Sequence, residues 1–145
     1  MAGPAASKGH YRMDRDDRLV KIRYTKRETG WAEHLGGRKY RLDNIPLASR
    51  LNIDDVVLCR LNDDGELQVR KVLKHRYPCK TLFRYDEAEQ YHAVRERARE
   101  VGAKTEHFIG PSDDKPGLAV CAHDYDFDPL EAARDAGVNN PDSEW

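Results

Sequence analysis

The densest group of reactive side chains is His123-Asp124-Tyr125-Asp126-Phe127-Asp128. On an extended strand alternate residues share a face. Asp124, Asp126 and Asp128 could therefore gather three carboxylates, the ligand type that hard cations take. This makes Asp124 and Asp126 candidate metal ligands and a metal-dependent enzyme one reading of the chain. Against it, the run lacks the glycine and distal glutamate of a calcium loop. Asp128, followed by Pro129, Leu130 and Glu131, is also suited to cap a helix. A solvated strand end that runs into a helix cap is the expected structure, with no metal held.

The histidines are His10, His34, His75, His92, His107 and His123. No pair has the i, i+4 or zinc-finger spacing of a metal site. His107 and His123 fall on strands expected to pair, which could bring them together. Cys59 and Cys121 sit in the apolar runs Val56-Val57-Leu58-Cys59 and Leu118-Ala119-Val120-Cys121, where they read as small core residues. With Cys79 the count is three, and there is no C-x-x-C pair, which favours reduced thiols in a cytoplasm. Neither a nucleophile elbow, a phosphate-binding glycine loop nor a Cys-His signature is present. The expectation is a protein without catalytic residues or cofactor.

The basic residues form a more coherent set. Arg38, Lys39 and Arg41 flank Gly36-Gly37. Arg70, Lys74 and Arg76 share one parity on a long strand if that strand is regular, and Lys80 and Arg84 follow. These eight are the candidate contacts for an anionic partner. Tyr40, Tyr77, Phe83 and Tyr85 are interleaved with them, although alternation places Tyr40 in the core. A cationic face with aromatics can bind single-stranded nucleic acid by phosphate contact and stacking, but no RNA-module signature accompanies it. From Met1 to Arg84 there are 19 Lys and Arg against 11 Asp and Glu; from Tyr85 to Trp145 there are 6 against 15. The net charge of −1 hides this division. The halves could face different partners or attract each other.

The elements that must carry these residues follow from pattern. The chain has 145 residues, 39% hydrophobic and 35% charged, which allows one domain or two small ones. No apolar run is long enough to span a membrane, and the first residues do not resemble a secretory signal. Residues 1–17 read as a disordered lead-in. Strands are expected at Leu19–Tyr24 (with Val20, Ile22 and Tyr24 inward), Thr29–Leu35, Arg38–Leu42, Ile53–Arg60 and Glu66–Arg76. The glycine pair supplies a hairpin turn, and Leu47–Leu51 is expected to form one helical turn. Val69 and Val72 are out of phase, so the fifth strand needs a bulge near Lys71. Residues 18–78 thus read as a small five-stranded antiparallel β-barrel or roll. Residues 79–137 read β-α-β-β-α, an incomplete ferredoxin-like order. Asp86 and Glu89 would form the first helix's capping box, with Ala88, Tyr91, Val94, Ala98 and Val101 as its apolar stripe. Residues 138–145 read as a flexible tail. The fold class is α+β.

Trp31-Ala32-Glu33, Tyr40-Arg41-Leu42-Asp43-Asn44-Ile45-Pro46 and Asp55-Val56-Val57 together resemble an uncharacterised bacterial family of unknown function. Its pattern has a Trp-Ala-Glu strand, then Tyr-Arg-Leu-Asp-Asn-Ile-Pro, then Gly-Asp-Val-Val. This chain departs from it at Asp54, where the family has glycine, and at Leu47-Ala48, where paired aromatics are common. The resemblance is strongest over residues 29–76 and implies no activity. The functional expectation is a non-catalytic cytoplasmic binding protein that acts through contact with another protein, an immunity-type inhibitor being one form. Nucleic acid is the alternative partner, and no membrane is involved.

Overall fold

The computed structural model describes residues 19–142. The expected lead-in and the last three residues of the expected tail lie outside the described residues. The first sheet contains β1 (Leu19–Thr25), β2 (Glu28–Gly36), β3 (Lys39–Leu42), β4 (Val56–Leu61) and β5 (Leu67–Lys74). Neighbours in this order are antiparallel. A parallel bridge between Arg23 and Gln68 joins β1 back to β5, so the sheet closes on itself. Arg23 clips the same seam through a two-point ion pair to Glu66, with Nε–Oε1 2.8 Å and Nη2–Oε2 2.9 Å.

Alternation fills this sheet. Ile22, Tyr24, Ala32, Tyr40, Leu42, Val57 and Cys59 point inward and form one cluster with Leu51. Gly30 faces Tyr24 so closely that an added Cβ would fall 1.9 Å from the phenol oxygen. Gly36 and Gly37 both take positive φ, 114° and 56°, as the β2–β3 hairpin requires. Asp54 is the one described non-glycine residue with positive φ, 67°. The backbone there is one that glycine adopts at no steric cost.

The second sheet has the order β6-β8-β7, from β6 (Cys79–Tyr85), β7 (Lys104–Ile109) and β8 (Gly117–His123). β8 lies antiparallel between β6 and β7. The helices α1 (Ala88–Glu100) and α2 (Pro129–Asp135) cover one face, where Phe83, Tyr85, Tyr91, Val94, Ala98, Ala119, Cys121, Ala132 and Ala133 form a cluster. A third cluster, Ile45, Ile53, Tyr77, Val120 and Ala122, joins the two sheets. The class is α+β, with more sheet than helix.

Several local expectations are corrected. Residues 47–50 form bends, not a helical turn, and the Ser49 carbonyl, with those of flanking Pro46 and Leu51, turns toward Lys80 instead. The capping box of α1 is shifted by one residue. Gln90 Oε1 accepts from the Asp86 and Glu87 amides at 2.7 and 3.0 Å, and Glu87 is the N-cap. Ala88 and Val101 are exposed and drop out of the apolar stripe. β5 has two register shifts where one was expected, opposite Leu58/Cys59 and opposite Val56/Val57. The described part of the tail is docked. Val138 and Pro141 are buried, and Pro141 O accepts from the Arg84 amide at 2.8 Å, alongside β6. α2 matches its expectation: Asp128 Oδ1 accepts from the Leu130 and Glu131 amides, and Pro129 occupies the first turn.

Candidate cationic site

The strand order places β4 between β3 and β5, and register then aligns their outward residues. Tyr40 and Leu42 point inward, so Lys39 and Arg41 point outward. Lys39 pairs with Leu58, which pairs with Lys71. Arg41 pairs with Val56, which pairs with Lys74. The outer face therefore carries two rows of cation, aliphatic residue, cation. Strands lie about 4.8 Å apart, so the cations of each row stand roughly 10 Å apart across the aliphatic centre. Arg38 continues the patch at the hairpin and Arg70 beside Lys71, both exposed. The bulges break the parity expected for Arg70, Lys74 and Arg76, yet all three are exposed, because each shift rotates the next residues outward.

Two of the expected contacts face inward. Lys80 Nζ donates to the carbonyls of Pro46, Ser49 and Leu51, each at 2.6 Å. It is an internal cation that pins the segment between β3 and β4, and burial lowers its pKa. Arg84 is buried between β6 and the docked tail. Strand alternation could not show this: Leu82, between them on the same face of β6, is exposed, and it is the carbonyls of Pro46, Ser49 and Leu51 and the docked tail that take Lys80 and Arg84 inward. The aromatics also turn away: Tyr40, Tyr77, Phe83 and Tyr85 are all buried. They provide no stacking platform beside the cations.

The cationic face ends in a shallow groove of about 330 Å³ lined by Arg41, Asp54, Val56, Lys74 and Arg76. Arg41 is partly neutralised by Glu33 at 2.7 Å and Asp54 by Lys104 at 2.7 Å. Arg76 stacks over Tyr77, 4.3 Å from the ring centroid, and its Nη1 lies 3.7 Å from Asp124 Oδ1. Next to these residues His75 Nδ1 lies 3.0 Å from Asp55 Oδ2. The Asp55 side chain is fully buried, whereas that of His75 is 53% exposed. Asp55 Oδ2 also accepts from the Asn52 amide at 2.8 Å. Desolvation is the largest influence on Asp55 and holds its carboxyl above the ordinary range, opposed by the Asn52 amide, His75 and the Arg76 amide. Sequence reading missed Lys71, His75 and Asp55 as parts of this site. Only the flanking of His75 by Lys74 and Arg76 hinted at it.

The other constellations separate. Asp124 leans on Arg76, Asp126 is exposed and Asp128 caps α2. Among the described residues no three His, Cys, Asp or Glu converge as a metal set. His107 pairs with Ala119 and His123 with Cys79, so they sit at opposite ends of β8. His107 stacks on Tyr91, with ring centroids 5.4 Å apart. His123 is buried between Thr81 Oγ1 at 2.7 Å and the Asp124 carbonyl at 2.8 Å. Cys59 and Cys121 are buried free thiols, and burial pushes them up to about 11 and about 12, away from reactive thiolate. Among the described residues no helix is long and apolar enough to cross a membrane.

No family model matches the chain, and no curated protein is similar to it. Among solved structures it is similar to a hypothetical protein from Neisseria gonorrhoeae. That likeness has a TM-score of 0.45 and 15% identity, covering 83% of this chain and 89% of that one. At that level no property is carried over.

Proposed function

We propose that this chain is a non-catalytic binding protein of the bacterial cytoplasm whose β3-β4-β5 face docks an acidic partner protein. The observation that carries this reading is the pair of rows Lys39–Leu58–Lys71 and Arg41–Val56–Lys74. An aliphatic centre with a charged surround is the anatomy of a protein interface, and a mainly cationic surround speeds encounter with a partner of opposite sign. An immunity-type inhibitor of an acidic protein is one form this role could take. Single-stranded nucleic acid is the second reading, favoured by the same cations. It is disfavoured by the burial of all four interleaved aromatics, because stacking supplies much of the energy of such complexes. The small closed sheet supports a barrel-like first unit. The order β6-β8-β7 with both helices on one face supports a ferredoxin-like second layer whose fourth strand is absent.

The test is affinity capture from bacterial extract at moderate salt, beside titration with labelled single-stranded RNA and DNA. A stoichiometric acidic protein should be retained, then lost with Lys71→Glu/Lys74→Glu and with Leu58→Asp, while thermal unfolding shows both variants folded. Submicromolar oligonucleotide binding with a steep salt slope, unaffected by Leu58→Asp, would replace this reading with the nucleic-acid one.

A further inference from the structure

The cations do not end with the first sheet. A second shallow groove, of about 390 Å³, has Ile53, Arg95, Arg99, Gly102 and Lys104 in its lining. It adjoins the first one. Asp54 lines the first groove and Lys104 the second, and Asp54 Oδ2 meets Lys104 Nζ at 2.7 Å. The helix pattern explains why these cations gather. Arg95 and Arg99 stand one turn apart on a flank of the buried stripe Tyr91, Val94 and Ala98. Arg97 takes the other flank, where it pairs with Asp135 of α2 at 2.8 Å. Lys104 then opens β7, just past the end of α1. Residues 85–145 hold six Lys and Arg against 15 Asp and Glu. Three of those six line this groove, on the side that meets the basic half of the chain.

We propose that the two grooves form one cationic track across the junction of the two sheets, and that it takes an extended acidic segment of the partner protein. Carboxylates of the segment would meet Lys74 and Arg76 at one end and Arg95 and Arg99 at the other. This rests on the reading of the β3-β4-β5 face as a protein-docking surface and states the form of what docks there. Charge selects the occupant, because the nearby anions are already engaged. Asp54 holds Lys104, and Glu96 holds Arg99 at 3.3 Å. Lys74 and Arg95 hold no ion pair among the described residues, so each groove keeps an uncompensated cation. In the middle, Lys104 spends one ammonium hydrogen on Asp54 and has two more to offer a carboxylate. The carbonyl end of α1 would repel an anion, but it is closed. Ala98 O accepts from the Val101 and Ala103 amides, Arg99 O from the Gly102 amide, and Gly102 O from the Tyr77 hydroxyl at 2.8 Å. Two strand spacings cover about 10 Å and one helical turn about 5 Å. With the ion pair between them the track is on the order of 20 Å long, which about six extended residues span.

The experiment is isothermal titration of the full chain with an acetylated deca-glutamate peptide at about 0.1 M salt, where screening confines each charge to roughly 10 Å. Wild type should bind one peptide per chain. Arg95→Gln/Arg99→Gln should weaken binding about fivefold, the effect of losing two exposed ion pairs, and Lys71→Glu/Lys74→Glu should weaken it at least as much. Arg97→Gln/Arg134→Gln makes the same charge change on the side where α1 and α2 pair with Asp135 and Asp142, and should stay within about twofold of wild type. Thermal unfolding checks that each variant is folded. Undiminished binding by Arg95→Gln/Arg99→Gln, an equal loss in Arg97→Gln/Arg134→Gln, or two peptides per wild-type chain would overturn the continuous track. Loss of binding in Lys71→Glu/Lys74→Glu would then leave the docking face standing. Failure of wild type to bind the peptide would overturn the docking reading itself, and submicromolar binding of a single-stranded oligonucleotide in its place would assign the track to nucleic acid.

Discussion

Replacing Lys80 by methionine should destabilise the fold strongly and leave the docking face's intrinsic affinity unchanged. The ammonium has three hydrogens, and all three are used, on Pro46, Ser49 and Leu51 carbonyls at 2.6 Å. A hydrogen bond from a charged donor contributes about 1.5–3 kcal/mol net. Three of them would contribute about 4.5–9 kcal/mol if burial were free. It is not, since desolvation is the main reason that Lys80 titrates below an ordinary lysine. Methionine preserves the apolar stem and leaves three carbonyls without their donor, partly rehydrated at a half-buried site. We expect a loss of about 2–4 kcal/mol, allowing for that rehydration. For a chain of this size that lowers Tm by roughly 10 °C. Lys80→Arg should fall between, because a planar fork cannot direct three hydrogens at converging carbonyls. Thermal and urea unfolding measure the loss. Hydrogen exchange should localise it to residues 47–53, the segment the ammonium holds. Below the transition, Lys80→Met should bind an acetylated deca-glutamate peptide, used as an acidic probe, within about twofold of wild type, as its charge does not face outward. A Tm drop below about 2 °C would refute the pinning role. A large affinity loss in the folded variant would restore Lys80 to the contact surface.

Two further outcomes test the neighbourhood of the groove. Asp54→Gly should stay within about 1 kcal/mol of wild type, because relief of the left-handed backbone offsets loss of the exposed Lys104 pair and added chain entropy; Asp54→Ala should fall about 1 kcal/mol below the glycine variant in urea unfolding. The raised carboxyl of Asp55 fixes the sign of its pH dependence: its stabilising contribution is complete below the ordinary aspartate range, about pH 4, and is lost as pH rises through the raised folded value. Asp55→Asn, which cannot ionise, should therefore improve relative to wild type between pH 4 and pH 7 in melting experiments, and a constant difference would contradict the burial argument.

The sequence made legible what depends on local period. Ile22 and Tyr24, Tyr40 and Leu42, and Val57 and Cys59 alternate without interruption, and each pair lies in the core. Gly36-Gly37, the Asp128 cap and the burial of Tyr91, Val94 and Ala98 are likewise properties of a few adjacent residues. The misses have physical causes. Asp86-Glu87-Ala88-Glu89-Gln90 contains two overlapping capping boxes, Asp86 with Glu89 and Glu87 with Gln90, and the apolar stripe does not choose between them. Lys80 and Arg84 share the parity of exposed Leu82, and they are taken inward by the 46–51 segment and by the docked tail, distant partners that strand parity does not reveal.

The site was legible as a set of cations and illegible as a place. Lys39, Arg41 and Lys74 come together only through β4; one register shift decides that Lys71, not Arg70, stands opposite Leu58, and a second that Lys74, not Leu73, stands opposite Val56. A one-residue slip would turn these side chains to the other face. The same shifts deliver His75 to Asp55, 20 positions away. Burying Asp55 opposes its charge, and the fold offsets this with the Asn52 amide, His75 and the Arg76 amide. The irregularity of β5 therefore does more than accommodate Val69 and Val72 on one inner surface. It sets the register that aligns the cations on the outer surface, and that is why their arrangement could be read only after the pairing was known.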